Sequence, residues 1–146
     1  MTYRLHTRLG FRVSRLARLM QARHEAALAE DGLTRLGAAV LGGVGDEGVS
    51  APSELAAYVG ITRPAMSRLL RGLETRGFIS RAPGDGDGRQ TCVLLTPKGE
   101  AALTRARAAG DALQAHFAAK LSPDALSALT AALALLAADE PDPTDF

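Results

Sequence analysis

This 146-residue chain is short of the residues that would indicate a disulfide-bonded or membrane protein. It has one cysteine and no tryptophan, and aromatic residues make up only 4%. A single cysteine excludes an internal disulfide and fits a reducing cytoplasm, where we expect the protein to be. The longest apolar run, residues 131–138, is far below the roughly 18 residues of a membrane span. No apolar segment follows the basic N-terminus, so neither a signal peptide nor a membrane partner is predicted.

Catalytic and metal-binding patterns are also missing. No Ser-His-Asp arrangement or carboxylate pair stands out, so we do not expect an enzyme. His6, His24 and His116 are far apart and none has a partner at ligand spacing, so no metal or other cofactor is predicted. Cys92 lies in a predicted strand, and a small packed side chain is the simpler interpretation than a redox sensor.

What the chain does have is an uneven distribution of charge. The net charge is only +1, but residues 1–24 carry six arginines and no acid. Residues 59–89 carry six more arginines against three acids, and the tail from Asp139 contains four acids. This asymmetry indicates a polyanion as partner on one side of the molecule. The length and the 47% hydrophobic content indicate one folded domain.

Apolar spacing and capping residues predict a mainly α chain with one small β-hairpin. The apolar stripe Leu5, Leu9, Val13, Leu16 and Met20 predicts a first helix that runs to about Ala29. Five further helices, two strands and a loop with perhaps one short strand complete the prediction. The helices are expected at 35–43, 52–60, 63–77, 97–119 and 123–138, the strands at 78–82 and 91–96, and the loop at 42–50.

The third and fourth helices have the spacing of a helix-turn-helix. A turn of about four residues centred on Gly60 separates them. Thr62 is an N-cap candidate and Pro64 suits a first turn. Met66, Leu69, Leu70 and Leu73 follow the helical period and are expected to face the core.

The stretch APGDGDGRQ, residues 82–90, could be a metal loop, a phosphate loop or a hairpin tip. Counted from Asp85, a calcium loop fails after two ligands, and a phosphate loop lacks its lysine and its following helix. Glycine and aspartate between two β-prone runs predict the hairpin tip instead. Arg89 then contacts a phosphate or the minor groove, or it is simply a solvated loop side chain.

The open side of the fourth helix is polar and basic, because the apolar positions leave Arg63, Pro64, Ser67, Arg68 and Arg71 facing away from the core. An α-helix fits the major groove of DNA, and arginine can bind a guanine edge with two hydrogen bonds. A solvated basic face is the alternative. The short preceding helix, the glycine turn and the following hairpin favour DNA binding.

At this point the sequence resembles a known family. The segment ELAAYVGITRPAMSRLLRGLETRGFISRAPGDGDGRQTCVLLTPKGE, about 54–100, is similar to the winged helix-turn-helix core of MarR-type transcriptional regulators. The similarity lies in the ELA…G helix, the LE-x-RG-F-I-x-R exit, the Asp87-Gly88-Arg89 wing and the LTPKG start of the next helix. The flanking helices fit the family's layout too.

The resemblance implies a homodimer joined through its first and last helices, which binds a pseudo-palindromic DNA operator and usually represses transcription until a small ligand or an oxidant releases it. We accordingly expect a winged DNA-binding lobe at about 34–97, dimerisation helices at about 1–30 and 98–138, and an acidic tail at 139–146. The expected DNA-binding residues are Thr62, Arg63, Pro64, Ser67, Arg68, Arg71 and Arg89.

Two features depart from the family pattern. Gly72 stands in the recognition helix where a larger polar residue is usual, at a cost of roughly 1 kcal/mol of helix stability relative to alanine. The redox-sensing branch has a reactive cysteine early in its first helix. Here the thiol is Cys92, in the wing strand, which makes peroxide sensing by that route doubtful.

The effector and the oligomer contacts are less well specified. The family often binds aromatic acids in a cleft between its dimer helices and its DNA-binding lobe, and Tyr3, His6, Phe11 and Arg12 are loose candidates for a small aromatic or anionic effector. A solvated basic stripe on the first helix is a candidate partner for the acidic tail of a second protomer. A winged-helix adaptor for other proteins, without its own operator, is the alternative function; the basic face argues against it.

Overall fold

A computed structural model describes residues 2–84 and 91–143 of the chain. Those residues form a short 3-10 helix, six α-helices and two antiparallel strands, which confirms the predicted fold class. In chain order the elements are the 3-10 helix Leu5–Thr7, α1 (Leu9–Ala29), α2 (Arg35–Gly45), α3 (Pro52–Val59), α4 (Arg63–Thr75), β1 (Ile79–Pro83), β2 (Thr91–Leu95), α5 (Pro97–Ala118) and α6 (Pro123–Ala137).

The hydrophobic core lies in the lobe that α2, α3, α4, the hairpin and the start of α5 enclose. Leu41, Leu55, Leu70, Leu73 and Val93 are completely buried there. Each fully buried leucine contributes about 1.5–3 kcal/mol relative to an exposed one. The predicted inward face of the fourth helix is confirmed, since its apolar residues either belong to this core or pack against it.

The C-terminal part of α2 corrects the sequence prediction. A loop was expected from residue 42, but α2 continues to Gly45. The glycines there serve close packing: a Cβ atom on Gly43 would lie 3.0 Å from the Tyr58 ring and 3.1 Å from a Leu55 methyl group of α3. The short strand suggested for this loop is wrong as well. Residues 46–51 form no strand, and a single backbone hydrogen bond joins Val93 N to Ser50 O at 2.9 Å.

The turn between α3 and α4 has three residues, one fewer than expected. Gly60 ends α3 in the left-handed conformation, with φ of +83°, and its N–H donates to Ala56 O at 2.9 Å. A side chain is disfavoured at this φ, which explains the glycine. The Thr62 hydroxyl then caps α4 by accepting from Ala65 N at 3.3 Å, and Pro64 lies in the first turn.

The base of the hairpin is fastened to the start of α5. Gly77 leaves α4 with φ of +81°, and its carbonyl accepts a hydrogen bond from Thr96 Oγ1 at 2.5 Å. The same hydroxyl caps α5 by accepting from Gly99 N at 3.1 Å. Lys98 Nζ lies 4.6 Å from the centre of the Phe78 ring. We call Gly77, Phe78, Thr96, Lys98 and Gly99 the hairpin latch.

The hairpin latch explains two of the motifs on which the family resemblance rests. A Cβ atom on Gly99 would collide with the Phe78 carbonyl oxygen, so the RGF and TPKG segments can touch only with glycine there. β1 and β2 then pair in register, with Arg81 opposite Val93 and Ala82 opposite Cys92. The hairpin tip at 85–90, including Arg89, lies outside the described residues.

The helices outside the lobe leave their apolar sides uncovered. The predicted apolar stripe lies on α1 from Leu9 onward, whereas Leu5 belongs to the separate 3-10 helix. Leu9 is 59% exposed and Leu16 is 45% exposed. On α6, Leu133 is 49% exposed, and no α6 residue is buried. These leucines therefore do not belong to the core of this chain, and the two helices present apolar surface to the outside.

A further feature concerns the C-terminal part of the chain. After α6 the tail comes close to the helix-turn-helix, and the Pro143 carbonyl oxygen lies 3.3 Å from the position of a Cβ atom on Gly60.

In the part of the chain that the structure describes, no single helix has the length and apolarity to cross a membrane. α5 and α6 reach that limit only jointly, and they meet at an angle of 110°.

Candidate nucleic-acid interface

The DNA-binding candidates on α4 all lie on its outer surface. Thr62, Arg63, Pro64, Ser67, Arg68 and Arg71 are exposed. The opposite side of the same helix is closed by Met66, Leu70 and Leu73, each at most 1% exposed. The helical period thus separates a buried apolar side from an open basic side, as predicted.

The three arginines of this surface have no carboxylate partner among the described residues. The ion pairs within the described part of the chain involve four other arginines, namely Arg35, Arg81, Arg105 and Arg107. A guanidinium offers five N–H donors and no acceptor, so an unpaired arginine on an open helix face is available to an anion. No carboxylate of residues 2–84 or 91–143 therefore neutralises the positive charge of these three arginines.

An arginine that the sequence reasoning did not select lies beside this surface. Arg81 of β1 places its Nε atom 3.3 Å from Glu74 Oε2 at the end of α4. Its side chain is only 27% exposed, and Nε and Nη2 are buried without a hydrogen-bond partner. Arg81 is the last residue of the LE-x-RG-F-I-x-R motif. Its place in that motif was the only indication in the sequence that Arg81 belongs to the interface.

Arg81 also lines a recess of about 230 Å³ between α3, α4 and β1. The other lining residues are Pro52, Ser53, Arg63, Ser67 and Leu70. The recess combines two guanidinium groups with two hydroxyl groups, which is a donor set suited to an oxyanion.

The effector candidates near the N-terminus are only partly brought together. The rings of His6 and Phe11 meet edge to face at 4.6 Å, and Arg12 Nε donates to the His6 carbonyl oxygen at 3.1 Å. Tyr3 instead lies under the guanidinium of Arg8, at 4.6 Å. All except Phe11 are exposed, so within one chain they form a surface cluster rather than a pocket.

A second cavity lies between α1, α2 and α5. Its volume is about 240 Å³, and its polar lining comes from His24, Arg35, Asp46 and Arg107. Burial and the nearby charge of Arg35 lower the pKa of His24, while Glu25 acts in the opposite direction. Arg107 pairs with Asp46 across the cavity wall. Nothing in the sequence indicated that His24 belongs to a site, because the other polar residues of the cavity come from α2 and α5.

The remaining candidates are unremarkable in the structure. Cys92 is partly buried and pairs with Ala82 across the hairpin. His116 stacks edge to face on Phe117 at 5.0 Å. Within 2–84 and 91–143, no three His, Cys, Asp or Glu side chains gather into a group that could hold a metal ion.

The fold and this basic helix define a winged helix-turn-helix protein of the transcription-regulator class. The sequence model of the MarR family matches residues 31–90. The HTH-type transcriptional regulator MT0903.1 of Mycobacterium tuberculosis is 33% identical over 106 residues, which is 73% of this chain and 71% of the relative. The HTH-type transcriptional repressor Rv2887 of the same species is 31% identical over 78% of this chain and 82% of its own. The chain belongs to the MarR family and is a transcriptional regulator, not an enzyme.

Solved structures show the same fold. A probable transcriptional regulator from Pseudomonas aeruginosa has a TM-score of 0.80 and 27% identity, over 91% of this chain and 99% of its own. The C80S mutant of MarR from E. coli, complexed with operator DNA, has a TM-score of 0.79 at 22% identity, over 88% and 92%. PcaV from Streptomyces coelicolor, in complex with its natural ligand, has a TM-score of 0.81 at 20% identity, over 97% and 99%.

Proposed function

We propose that a homodimer of this chain binds a pseudo-palindromic operator in double-stranded DNA and represses transcription until a small ligand releases it. The observation that carries the proposal is the unpaired basic side of α4, which is the second helix of a helix-turn-helix. Relatives named as repressors and a related fold bound to operator DNA support it. We also propose a cytoplasmic location, because such a regulator binds operator DNA inside the cell.

On the DNA, each residue of the surface has a proposed task. Arg63, Ser67, Arg68 and Arg71 enter the major groove, where arginine and serine can bind base edges or the phosphates that border the groove. Thr62 and Pro64 hold the N-terminus of α4 near a phosphate. Arg89, in the hairpin tip outside the described residues, anchors the wing in the adjacent minor groove or on its phosphates.

The uncovered leucines of α1 and α6 support the proposed dimer. Apolar surface of this extent gains free energy when a second copy covers it. Joined through these helices, two lobes present their α4 helices about 34 Å apart, one turn of DNA, as a pseudo-palindrome requires.

For the effector, the cavity between α1, α2 and α5 is the better supported site. His24, Arg35 and Arg107 give it hydrogen-bond donors for a small anionic or aromatic acid, which would compete with Asp46 for Arg107. The cavity lies between α1, which has uncovered apolar surface, and α2 and α5, which pack on the core of the lobe. A ligand bound there would therefore change the position of α1 relative to the lobe. The surface cluster of Tyr3, His6, Phe11 and Arg12 is the second candidate, on its own or facing a partner protomer.

The direct test is a gel-shift screen with DNA from upstream of the protein's own gene. We expect a specific complex whose affinity falls steeply with salt. Arg68→Ala should relax the preference at one base position, at a cost of about 1–3 kcal/mol. Equal weakening on every sequence would mean that Arg68 contacts only phosphate. Absence of any DNA complex would instead favour a protein-interaction adaptor.

A further inference from the structure

Two parallel rows of side chains run along α4, one at the border of the core, where Leu70 is buried, and one on the open side. Residues spaced by three and four lie above one another on a helix. Arg63, Ser67, Leu70 and Glu74 form one row, which we call the inner row. Pro64, Arg68, Arg71 and Thr75 form the other, which we call the outer row. Every residue of the outer row is exposed.

The inner row borders the recess beside β1. Arg63, Ser67 and Leu70 line it, and Glu74 at the end of the row pairs with Arg81 on the opposite wall. Its volume of about 230 Å³ is below the roughly 300–1,000 Å³ of pockets that enclose drug-sized ligands. The recess therefore suits a small polar group.

The electrostatics of the recess call for an anion. Arg63 and Arg81 supply two positive charges, and the nearby Glu74 supplies one negative charge. Nε and Nη2 of Arg81 are buried without a hydrogen-bond partner, and Nε lies 3.3 Å from Glu74 Oε2. One carboxylate beside two guanidinium groups leaves a net positive charge in a half-enclosed space, where it acts strongly.

The start of α3 adds to this field. Ala51, its N-cap residue, makes no side-chain cap hydrogen bond, so the first N–H groups of the helix lack that acceptor. Ser53, in the first turn, also lines the recess. The free N–H groups that follow Pro52 and the positive end of the helix dipole favour an anion at this position, although the exposed Glu54 in the same turn offsets part of the field.

We propose that the recess holds a single backbone phosphate of the operator, bound by Arg63, Ser67 and Arg81, and that Glu74 is the positioning residue for Arg81. This inference rests on the proposed DNA-binding function and refines it. Arg63 and Ser67 of the inner row reach the DNA backbone where it borders the major groove, which fixes the register of the protein, and Arg68 and Arg71 of the outer row read the bases.

The test replaces single operator phosphates by uncharged methylphosphonates. On wild-type protein, one phosphate in each half-site should weaken binding about tenfold or more when replaced, because it loses a charged hydrogen-bond partner. With Arg81→Gln, the same replacement should have less than a twofold effect. The matched control is Arg105→Gln, which removes the same charge from an ion pair with Asp31 away from the recess. A position-independent loss in Arg81→Gln would overturn the proposal.

A salt titration gives a second measure of the same contact. The slope of log affinity against log salt concentration should become shallower by about 0.9 for each recess that loses its phosphate. Arg105→Gln should leave the slope unchanged. An unchanged slope in Arg81→Gln would also overturn the proposal.

The positioning role of Glu74 is tested by removing its negative charge, because simple electrostatics and the positioning role predict opposite effects on DNA binding. Removing a carboxylate should strengthen DNA binding on general electrostatic grounds, and Glu25→Ala, which breaks the ion pair of Arg35, should do so. Glu74→Ala should instead weaken binding and reduce the effect of the methylphosphonate, because Arg81 loses its fixed orientation. Stronger binding by Glu74→Ala would contradict the role.

Two controls keep these outcomes interpretable. Thermal unfolding checks each variant, and if Arg81→Gln does not fold, Arg81→Lys keeps the charge but lacks the planar fork and should lose part of the methylphosphonate effect. Inorganic phosphate is titrated against the DNA-free protein. Tight phosphate binding, with no methylphosphonate position sensitive to Arg81, would make the recess a free-anion site and overturn the backbone assignment. A wild-type protein that binds no DNA defeats the proposed function itself.

Discussion

At the scale of single residues, the role available to an arginine near α4 depends on the exposure and the charged neighbours of its side chain. Arg68 and Arg81 are both arginines near α4, but the first is exposed without a carboxylate partner and the second is half-buried beside Glu74. Their sequence contexts did not distinguish these environments. Glu74 and Arg81 lie on either side of the glycine turn that ends α4, so their contact follows from the path of that turn.

Gly72 allows a direct test of helix stability at the recognition helix. A Cβ atom at this position would meet nothing within 4 Å, so Gly72→Ala should raise the free energy of unfolding by about 1 kcal/mol through helix propensity. Chemical denaturation measures the change. Gly99→Ala should destabilise strongly, because its Cβ atom meets the Phe78 carbonyl oxygen. A destabilised Gly72→Ala would show that α4 needs glycine for another reason.

His24 should make stability depend on pH. Its pKa is lowered from 6.5 in the folded chain, first by burial and then by Arg35, so the unfolded chain binds the proton more readily. Stability from this group is therefore present above about pH 6.5 and decreases as the pH falls through and below that value. His24→Gln should reduce that decrease between pH 7.5 and 5.5.

Denaturation midpoints at the two pH values measure this effect. His116→Gln is the matched comparison, because the pKa of His116 is lowered too, by desolvation and by Arg23 and Lys120. Each replacement should remove a part of the pH dependence. An unchanged difference between the two midpoints in His24→Gln would contradict the assignment.

At the scale of helices and strands, capping residues made most boundaries predictable. Thr62, Thr96 and Ser122 each accept a backbone N–H at the start of a helix, and the predicted starts of α4, α5 and α6 are confirmed. The end of α2 was not predictable, since consecutive glycines normally indicate a loop. Close packing of Gly43 against Tyr58 and Leu55 overrides that local preference.

The hairpin latch should contribute measurably to stability. Thr96→Val removes both the cap of α5 and the hydrogen bond to Gly77, which should cost about 1–2 kcal/mol. Thr104→Val is the matched control, because the Thr104 hydroxyl only donates to Glu100 O within an exposed helix turn. Urea denaturation of both variants should show a clear loss for the first alone. Equal losses would mean that Thr96 does not fasten the hairpin.

At the scale of the whole molecule, the sequence indicated an apolar stripe on the first helix but not what covers it. Periodicity reports that Leu9, Val13 and Leu16 share a face, and the chain's own core leaves that face exposed. In the proposed dimer a second copy covers this face, and a single sequence does not describe that contact. The cavity between α1, α2 and α5 was not predicted for a different reason, because Arg107 of α5 is distant in sequence from His24 and Arg35.

The acidic tail should strengthen the dimer by electrostatic attraction. Asp139, Glu140 and Asp142 form no ion pair among the described residues of their own chain. Of the basic stripe predicted on the first helix, Arg12 and Arg15 lie on α1 and Arg4 and Arg8 precede it, and all four are exposed. Deleting residues 139–146 should weaken the dimer more at low salt than at high salt, since salt screens such pairs. Analytical ultracentrifugation measures both dissociation constants. Equal changes at both salt concentrations would refute the pairing.

The central claim is that two α4 helices, held by one dimer, occupy successive major grooves of the same duplex. Dimethyl sulfate protection on the operator reports this most directly, because the reagent methylates guanine N7 in the major groove, where Arg68 and Arg71 are expected to bind. We predict two protected sites about 10 base pairs apart, both weakened by Arg68→Ala. Protection at one site only, or a complex that contains a single chain, would contradict the account.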